Sequence, residues 1–327
     1  MSLLALPPDM LRLVLSFLGT RSLLNAAATC TTLRDMVNAM ALHPTMTSQT
    51  RMLHWLQRPT VAPRVRTLTA RYCLWGYCRF VRLLTSLQQL VVTFGHVSAP
   101  ICRHLPPTLE YLDLHRIDCE YGDVFLTSRL TRLPLLHTLK LSFTPHWDTV
   151  IVDGLDALPL RHLSLRLAPK LVVRGPMAVD SMHLHAVEAL VCPFELTAED
   201  LSLECTDAMI PLDIMVTPST APKLRRLSLS CPRRVTVPSL EHMTRLEKLR
   251  VRYDSALLPL RQLAAIPTLR SLVVDTRFGI AVSGMHAKLP GHVRVEARVS
   301  GVPMSPTSVR SMFYVAADGG KSACVDP

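Results

Sequence analysis

Few residues in this chain stand at spacings that could carry chemistry. His183 and His185 lie two apart, which on a strand would aim both imidazoles to one side. Two imidazoles are half of a tetrahedral metal site, and no Cys or carboxylate cluster stands nearby to complete it. They read as a packed or solvated pair, so no metal and no other cofactor is expected. Cys73 and Cys78 form an isolated C-x4-C pair with no matching second pair. Cys30 falls in a predicted helix and reads as a small packed hydrophobe. The chain holds no glycine-rich phosphate loop, no GxSxG and no HExxH, so nucleophilic, phosphoryl-transfer and zinc-peptidase chemistry lack their signatures. No catalytic residue is nominated and the chain is not expected to be an enzyme. The cations form a stronger pattern. Arg166, Arg226, Lys248, Arg250 and Arg252 all stand at positions that alternate with leucines or valines in short apolar segments. Such alternation puts them on the polar side of a strand. Guanidinium forks and ammonium groups suit carboxylates and phosphates, so these five are the candidate substrate-binding residues for an acidic or phosphorylated protein. The competing reading is an ordinary solvated face.

The elements that position those cations are written in a returning phrase. It reads LEYLDL at 109–114, LHTLKL at 136–141, LRHLSL at 160–165 and LRRLSL at 224–229, with weaker copies along the chain. Central leucines fall at 68, 90, 112, 139, 163, 190, 201, 227, 249 and 272, mostly 22 to 27 residues apart. A constant period means one unit stacked on itself, with the leucines inward and alternate residues on a polar, concave face. The step from 190 to 201 breaks the period: one of the segments 187–192 and 198–203 is not a repeat strand. A proline before many of the phrases (Pro63, Pro107, Pro134, Pro159, Pro222, Pro267) is expected to end the preceding turn and lead into extended chain. The phrase and its period resemble leucine-rich repeats. The Asn or Cys that such repeats often carry eight residues after the first leucine is met only at Cys73, so irregular connections are expected. Alternating HVRVEARV at 292–299 predicts a last strand.

The N-terminus is helical in pattern. Leu11, Val14, Leu15 and Leu18 recur at three- and four-residue steps, making one apolar stripe. Pro7, Pro8 and Asp9 precede it and Gly19 follows as a stop. Ser22 can cap a second helix, and Thr29 or Thr31 a third through Leu33, Met36 and Val37. Three short helices cannot bury all their apolar surface on one another, so some should meet a partner. Leu6-Pro7-x-Asp9-x-Leu11-x-x-Val14-Leu15-Ser16-Phe17-Leu18, then Ser22-Leu23-Leu24, then Ala28-x-Cys30-x-x-Leu33-Arg34 resembles the F-box motif. Leu33 stands where a tryptophan is common, and the acidic residue after the leucine pair is missing. The resemblance implies a substrate receptor of a cullin–RING ubiquitin ligase. On it, the N-terminal helices dock on the Skp-type adaptor of the cullin scaffold and the repeats present a protein substrate. It assigns adaptor binding to Leu6, Pro7, Leu11, Val14, Leu15, Leu18 and Leu24, some of which must also pack internally.

Bulk properties narrow the partners. Net charge is +11, favouring anionic partners. Aromatics are only 5% of the chain, which disfavours base-stacking platforms, and no dense Lys/Arg run suggests a nucleic-acid tail. Nucleic-acid binding therefore ranks below a free-standing protein-interaction scaffold, and both rank below the ligase receptor. Nine cysteines, an odd number without CxxC spacing, read as reduced thiols of a cytoplasmic or nuclear protein. No signal peptide and no membrane span are expected. The expected class is α/β: a short helical F-box-like module at 1–44, a helical linker at 45–62, an irregular leucine-rich-repeat solenoid at 63–299 and a tail at 300–327, a loose cap or disordered.

Overall fold

The structure is a computed structural model that describes residues 6–46, 60–71, 78–93, 97–98, 102–118, 124–205, 216–231, 240–283 and 289–313. The chain forms two compact units: Met1–Asp118 with Arg132–Leu141, and Cys119–Thr131 with Ser142–Pro327.

The first unit opens with three helices, α1 (Pro8–Ser16), α2 (Thr20–Thr29) and α3 (Thr31–Ala39). Leu11 and Leu15 of α1 meet Leu23 of α2 and Leu33 and Val37 of α3 in one buried cluster. The cap of α3 is Cys30, whose Sγ accepts from the Leu33 N–H at 3.5 Å, not Thr29 or Thr31; the thiol fills the place of a hydroxyl. After α3 the chain turns directly into sheet. The Leu42 N–H donates to the Arg64 carbonyl at 2.9 Å and Leu42 bridges Val65 in parallel. Strand β1 (Thr45–Met46) pairs with β2 (Thr67–Arg71). The helical stretch expected over 45–62 therefore opens as a strand; 47–59 lie outside the described residues, as does Cys73. β3 (Gln89–Thr93), β4 (Val97–Ser98), β5 (Tyr111–Asp118) and the opening of β7 (Thr138–Phe143) complete a parallel sheet ordered β1-β2-β3-β5-β7, with β4 beside the end of β5. Leu68, Leu90 and Leu112 share one register row, and all three are fully buried.

In the second unit β9 (His162–Arg166), β12 (Ser181–Val187), β15 (Asp200–Cys205), β16 (Arg226–Cys231), β17 (Lys248–Pro259), β18 (Ser271–Ser283) and β19 (Arg294–Val299) pair in parallel. Two buried rows run across them: Leu163, Met182, Leu201, Leu227, Leu249 and Leu272, then Leu165, Leu184, Leu203, Leu229, Val251 and Val274. Each such side chain contributes about 1.5–3 kcal/mol of burial before entropy is set against it. The broken period resolves here. The segment at 198–203 is β15, and β12 beside it is carried by Met182 and Leu184. The segment at 187–192 leaves this sheet as β13 (Ala189–Val191).

β13 belongs to a second parallel sheet, ordered β13-β10-β8-β6, with β6 (Val124–Leu126), β8 (Thr149–Asp153) and β10 (Lys170–Arg174). Its runs are rich in Val, Ile and Leu, with Val150, Ile151 and Val152 of β8 and Leu171 and Val173 of β10 buried, as suits a parallel strand. Phe125 of β6, Phe143 at the end of β7 and Trp147 meet edge to face at 5.2–6.3 Å. Gly154 ends β8 at φ 68, and a Cβ there would stand 3.0 Å from Thr131 Cγ2, so the turn needs glycine. A short parallel pair, β11 (Met177–Ala178) and β14 (Leu196–Thr197), forms a separate two-stranded sheet.

Among the described residues the other connections are mostly 3-10 turns, with a short helix, α4, at Leu260–Ala264. Pro63 and Pro222 lie inside the 3-10 turns Ala62–Arg64 and Ala221–Lys223. There the locked φ and missing N–H start a turn, a correction to the expectation that proline ends one. Beyond β19 the tail folds back: β20 (Val302–Pro303) pairs antiparallel, and helix α5 (Pro306–Phe313) buries Val309 and Phe313. Residues 300–313 thus carry a strand and a helix, and 314–327 lie outside the described residues. The fold class is as expected, a helical N-terminal module followed by repeating parallel strands. No described helix is long and apolar enough to cross a membrane.

Candidate protein-interaction surfaces

The first surface is α1. Nine residues make two and a half turns, enough to carry two apolar stripes rather than one. Leu11 and Leu15 turn inward, at 2% and 0% exposure, and anchor the helix to α2 and α3. The other stripe turns outward. Met10, Leu13 and Phe17 are exposed, Phe17 to 81%, with Val14 and Leu18 beside them and Leu6 just ahead. Pro7 is exposed as the extended N-cap of α1, and the ring of Pro8 behind it pre-sets the first turn. Leu24, on α2, is half-buried. Of the seven candidate adaptor residues, the structure thus places Leu6, Pro7, Val14 and Leu18 outward, Leu11 and Leu15 in the core, and Leu24 between. The sequence reading passed over Met10, Leu13 and Phe17. Their i, i+3, i+7 spacing was there to be read as a second stripe. The only charges among them are those of Asp9 and Arg12, which face each other at 3.8 Å in open solvent. A contiguous apolar face at the tip of a short helix is surface that water leaves poorly solvated and a partner would cover.

The second surface is the polar side of the second unit's long sheet. Strand register sets its rows. One reads His162, Ser181, Asp200, Arg226, Lys248, Ser271; the next Ser164, His183, Ser202, Ser228, Arg250, Val273; the third Glu204, Ser230, Arg252, Asp275, with the Arg166–His185 pair set apart from it by a register shift between β12 and β15. All five candidate cations lie on this side and all are exposed. They differ in what they touch. Arg226 Nη1 donates to Asp200 Oδ2 at 3.3 Å. Arg166 lies beside the histidines. Among the described residues Lys248, Arg250 and Arg252 make no ion pair.

The histidines sit on β12 with both rings on one side, as the spacing predicted. They stack at 6.0 Å with planes 10° apart. His185 Nδ1 lies 2.9 Å from Glu204 Oε2. His183 is pushed below the usual imidazole range, first by burial, against a smaller pull upward from Asp200. Among the described residues no group of His, Cys, Asp and Glu is placed to hold a metal. One step before the strands, Arg225 donates from Nε and Nη2 to Glu247 Oε1 at 3.1 and 2.6 Å. That bond holds the Glu247 carboxyl below its ordinary range and ties neighbouring repeats together.

Comparison with known proteins bears on the first surface. The family model of the F-box domain matches residues 3–45, so α1–α3 are an F-box domain. No curated protein matches the chain. Among solved structures the chain is similar to an internalin from Listeria monocytogenes str. 4b F2365, at 11% identity over 73% of this chain and 76% of that chain, with a TM-score of 0.39.

Proposed function

We propose that this protein is the substrate receptor of a cullin–RING ubiquitin ligase. Its F-box domain docks on the Skp-type adaptor that links to the cullin scaffold, and its repeats hold a protein substrate for ubiquitin transfer by other subunits. The observation that carries the proposal is the outward stripe of α1 on a segment that matches the F-box family. Leu6, Pro7, Met10, Leu13, Val14, Phe17 and Leu18 would meet the adaptor, with Phe17 the aromatic anchor. Leu11 and Leu15 hold α1 in place from beneath, and Leu24 borders the contact. An adaptor of this kind needs no catalytic group of its own, and it would act in the cytoplasm or nucleus with the rest of the ligase. The boundaries 1–44, 45–62, 63–299 and 300–327 are kept as its proposed working parts.

The substrate would lie on the polar strand face, where Arg166, Arg226, Lys248, Arg250 and Arg252 are gathered. The test of adaptor docking is direct binding of a purified Skp-type adaptor to the full chain, with charged substitutions on the outward stripe of α1.

A further inference from the structure

We infer that the outer edge of β19 is a site for the C-terminal end of a polypeptide. The edge opens onto a groove of about 940 Å³, within the range of about 300–1,000 Å³ that ligand sites occupy. Its apolar lining comes from Leu289, Val295, Ala297, Met304 and Val309, and the exposed Arg294 and Arg298 line it too. Main-chain bonding along β19 alternates. The Arg294 N–H donates to the Arg270 carbonyl at 2.8 Å and the Ser300 N–H to the Thr276 carbonyl at 2.7 Å, so the even-numbered residues face β18 in a regular parallel ladder. The odd-numbered residues face the outer edge. There the Val293 N–H donates to the Pro290 carbonyl at 3.0 Å, and the Ala297 carbonyl accepts from the Met304 N–H at 2.8 Å. β20 pairs only with Arg298 and Val299. Among the described residues the N–H and carbonyl of Val295 meet no strand on that side, and they look onto the groove.

Two features decide the class of ligand. The first is that β20 closes one end of the edge, where Pro303 stands opposite Arg298. An extended segment laid along β19 stops there, so it meets the block with a chain end and not with its middle. The second is charge. Arg294 is held by Glu296 at 2.9 Å. Arg298 makes no ion pair among the described residues, so its fork is open to a carboxylate, while it would repel an ammonium terminus. A segment running parallel to β19, as β18 does on the other side, therefore pairs with Val295 and sets its terminal carboxylate on Arg298. Val295 and Arg298 are three residues apart, about 10 Å of strand, which the last three residues of the segment span. Its last side chain turns into the groove, whose lining calls for an apolar residue.

The inference deepens the proposed receptor role, on which it rests, by naming the part of a substrate that this edge would hold, and it is tested without the adaptor. The probe is a pool of fluorescent peptides of random sequence that end in leucine with a free carboxylate. Two further pools carry a C-terminal amide or two glycines after the leucine. Each is titrated with the full chain at about 150 mM salt, where long-range charge effects are screened. The free-carboxylate pool should bind, and the amide and extended pools about tenfold or more weakly. Arg298→Ala should cost the free-carboxylate pool a similar factor, and Arg298→Lys should recover only part of it because the fork is lost while the charge stays. Arg261→Ala, on the exposed side of α4, removes the same charge and should leave binding unchanged. Equal binding of the amide or extended pool, equal loss in Arg261→Ala, or no binding of the free-carboxylate pool would overturn the inference. So would self-association of the chain that Arg298→Ala abolishes, which would put a second copy on this edge. Adaptor binding through α1 is untouched by any of those results, so the two readings can fail separately.

Discussion

Arg64 reaches back to the end of α3, where its Nη2 donates to the Met40 carbonyl at 3.1 Å. Its Nη1 donates to Asn38 Oδ1 at 3.2 Å, and Nη2 also meets the Val37 carbonyl. The last carbonyls of a helix lack partners within it, and here one guanidinium from the first turn of the repeat region supplies them. A cation at a helix C-terminus also suits the helix dipole. The F-box helices and the first strand are therefore tied by a side chain as well as by the Leu42–Val65 bridge. Arg64→Ala should destabilise the protein by about 1–3 kcal/mol. Arg64→Lys should recover only part of that, because an ammonium cannot span three acceptors as a fork does. Thermal melting of the three proteins checks the order.

The two stripes of α1 should separate by experiment. Leu15→Ala opens a cavity in the helical cluster and should cost about 2–5 kcal/mol of stability. Phe17→Ala removes an exposed ring and should leave the melting temperature within the scatter of surface changes, about 0.5 kcal/mol. A Phe17→Ala protein that melts as low as Leu15→Ala would mean that Phe17 packs internally.

Thr127 is buried in the turn that follows β6. Its Oγ1 donates to the Asp153 carbonyl at 2.9 Å and accepts from the Asp153 N–H at 2.8 Å. Thr127→Val keeps the shape and strands both backbone groups. A loss of about 1–3 kcal/mol is expected, read as a lower denaturant midpoint with an unchanged slope. No change in midpoint would show that water replaces the hydroxyl.

His183 should make stability sensitive to pH. Burial lowers its folded pKa below the unfolded value, so the unfolded chain takes up the proton first as pH falls. Its contribution is whole above the unfolded imidazole range and is lost as pH drops through that range to the folded pKa. His185, paired with Glu204, stays in both proteins compared. A His183→Gln variant should therefore show a flatter fall in melting temperature between about pH 7 and 5 than the parent. Parallel curves would show that His183 is solvated in the folded state.

Much of this fold can be read from leucines, and its surprises come where other residues do the leucines' work. Met182 and Leu184 of β12, with Val179 just ahead of it, fill the leucine positions of the phrase, all buried. The phrase is there, but with Val and Met leading it, while the better match to its leucine spacing falls at Leu190 in 187–192. The second sheet had a signal too: the apolar runs TVIVD and KLVVR each follow a main strand within a few residues. A solvated loop has no use for such runs. The polar face was legible because strand alternation forces it. Which of its arginines would be paired was not, since Asp200 and Arg226 are 26 residues apart and only register brings them together. On α1 a single stripe hid a second, because a short helix with apolar residues on most sides obeys two spacings at once.

The measurement that bears most directly on the receptor role is the affinity of the full chain for a purified Skp-type adaptor, by calorimetry, for the parent and for Val14→Glu with Phe17→Glu. Both side chains face solvent, so the double variant should melt as the parent does. The account predicts that the parent binds and that the variant loses about a hundredfold or more, as for anchors whose loss costs at least about 2 kcal/mol each. Equal adaptor binding by both proteins, or none by the well-folded parent, would contradict it.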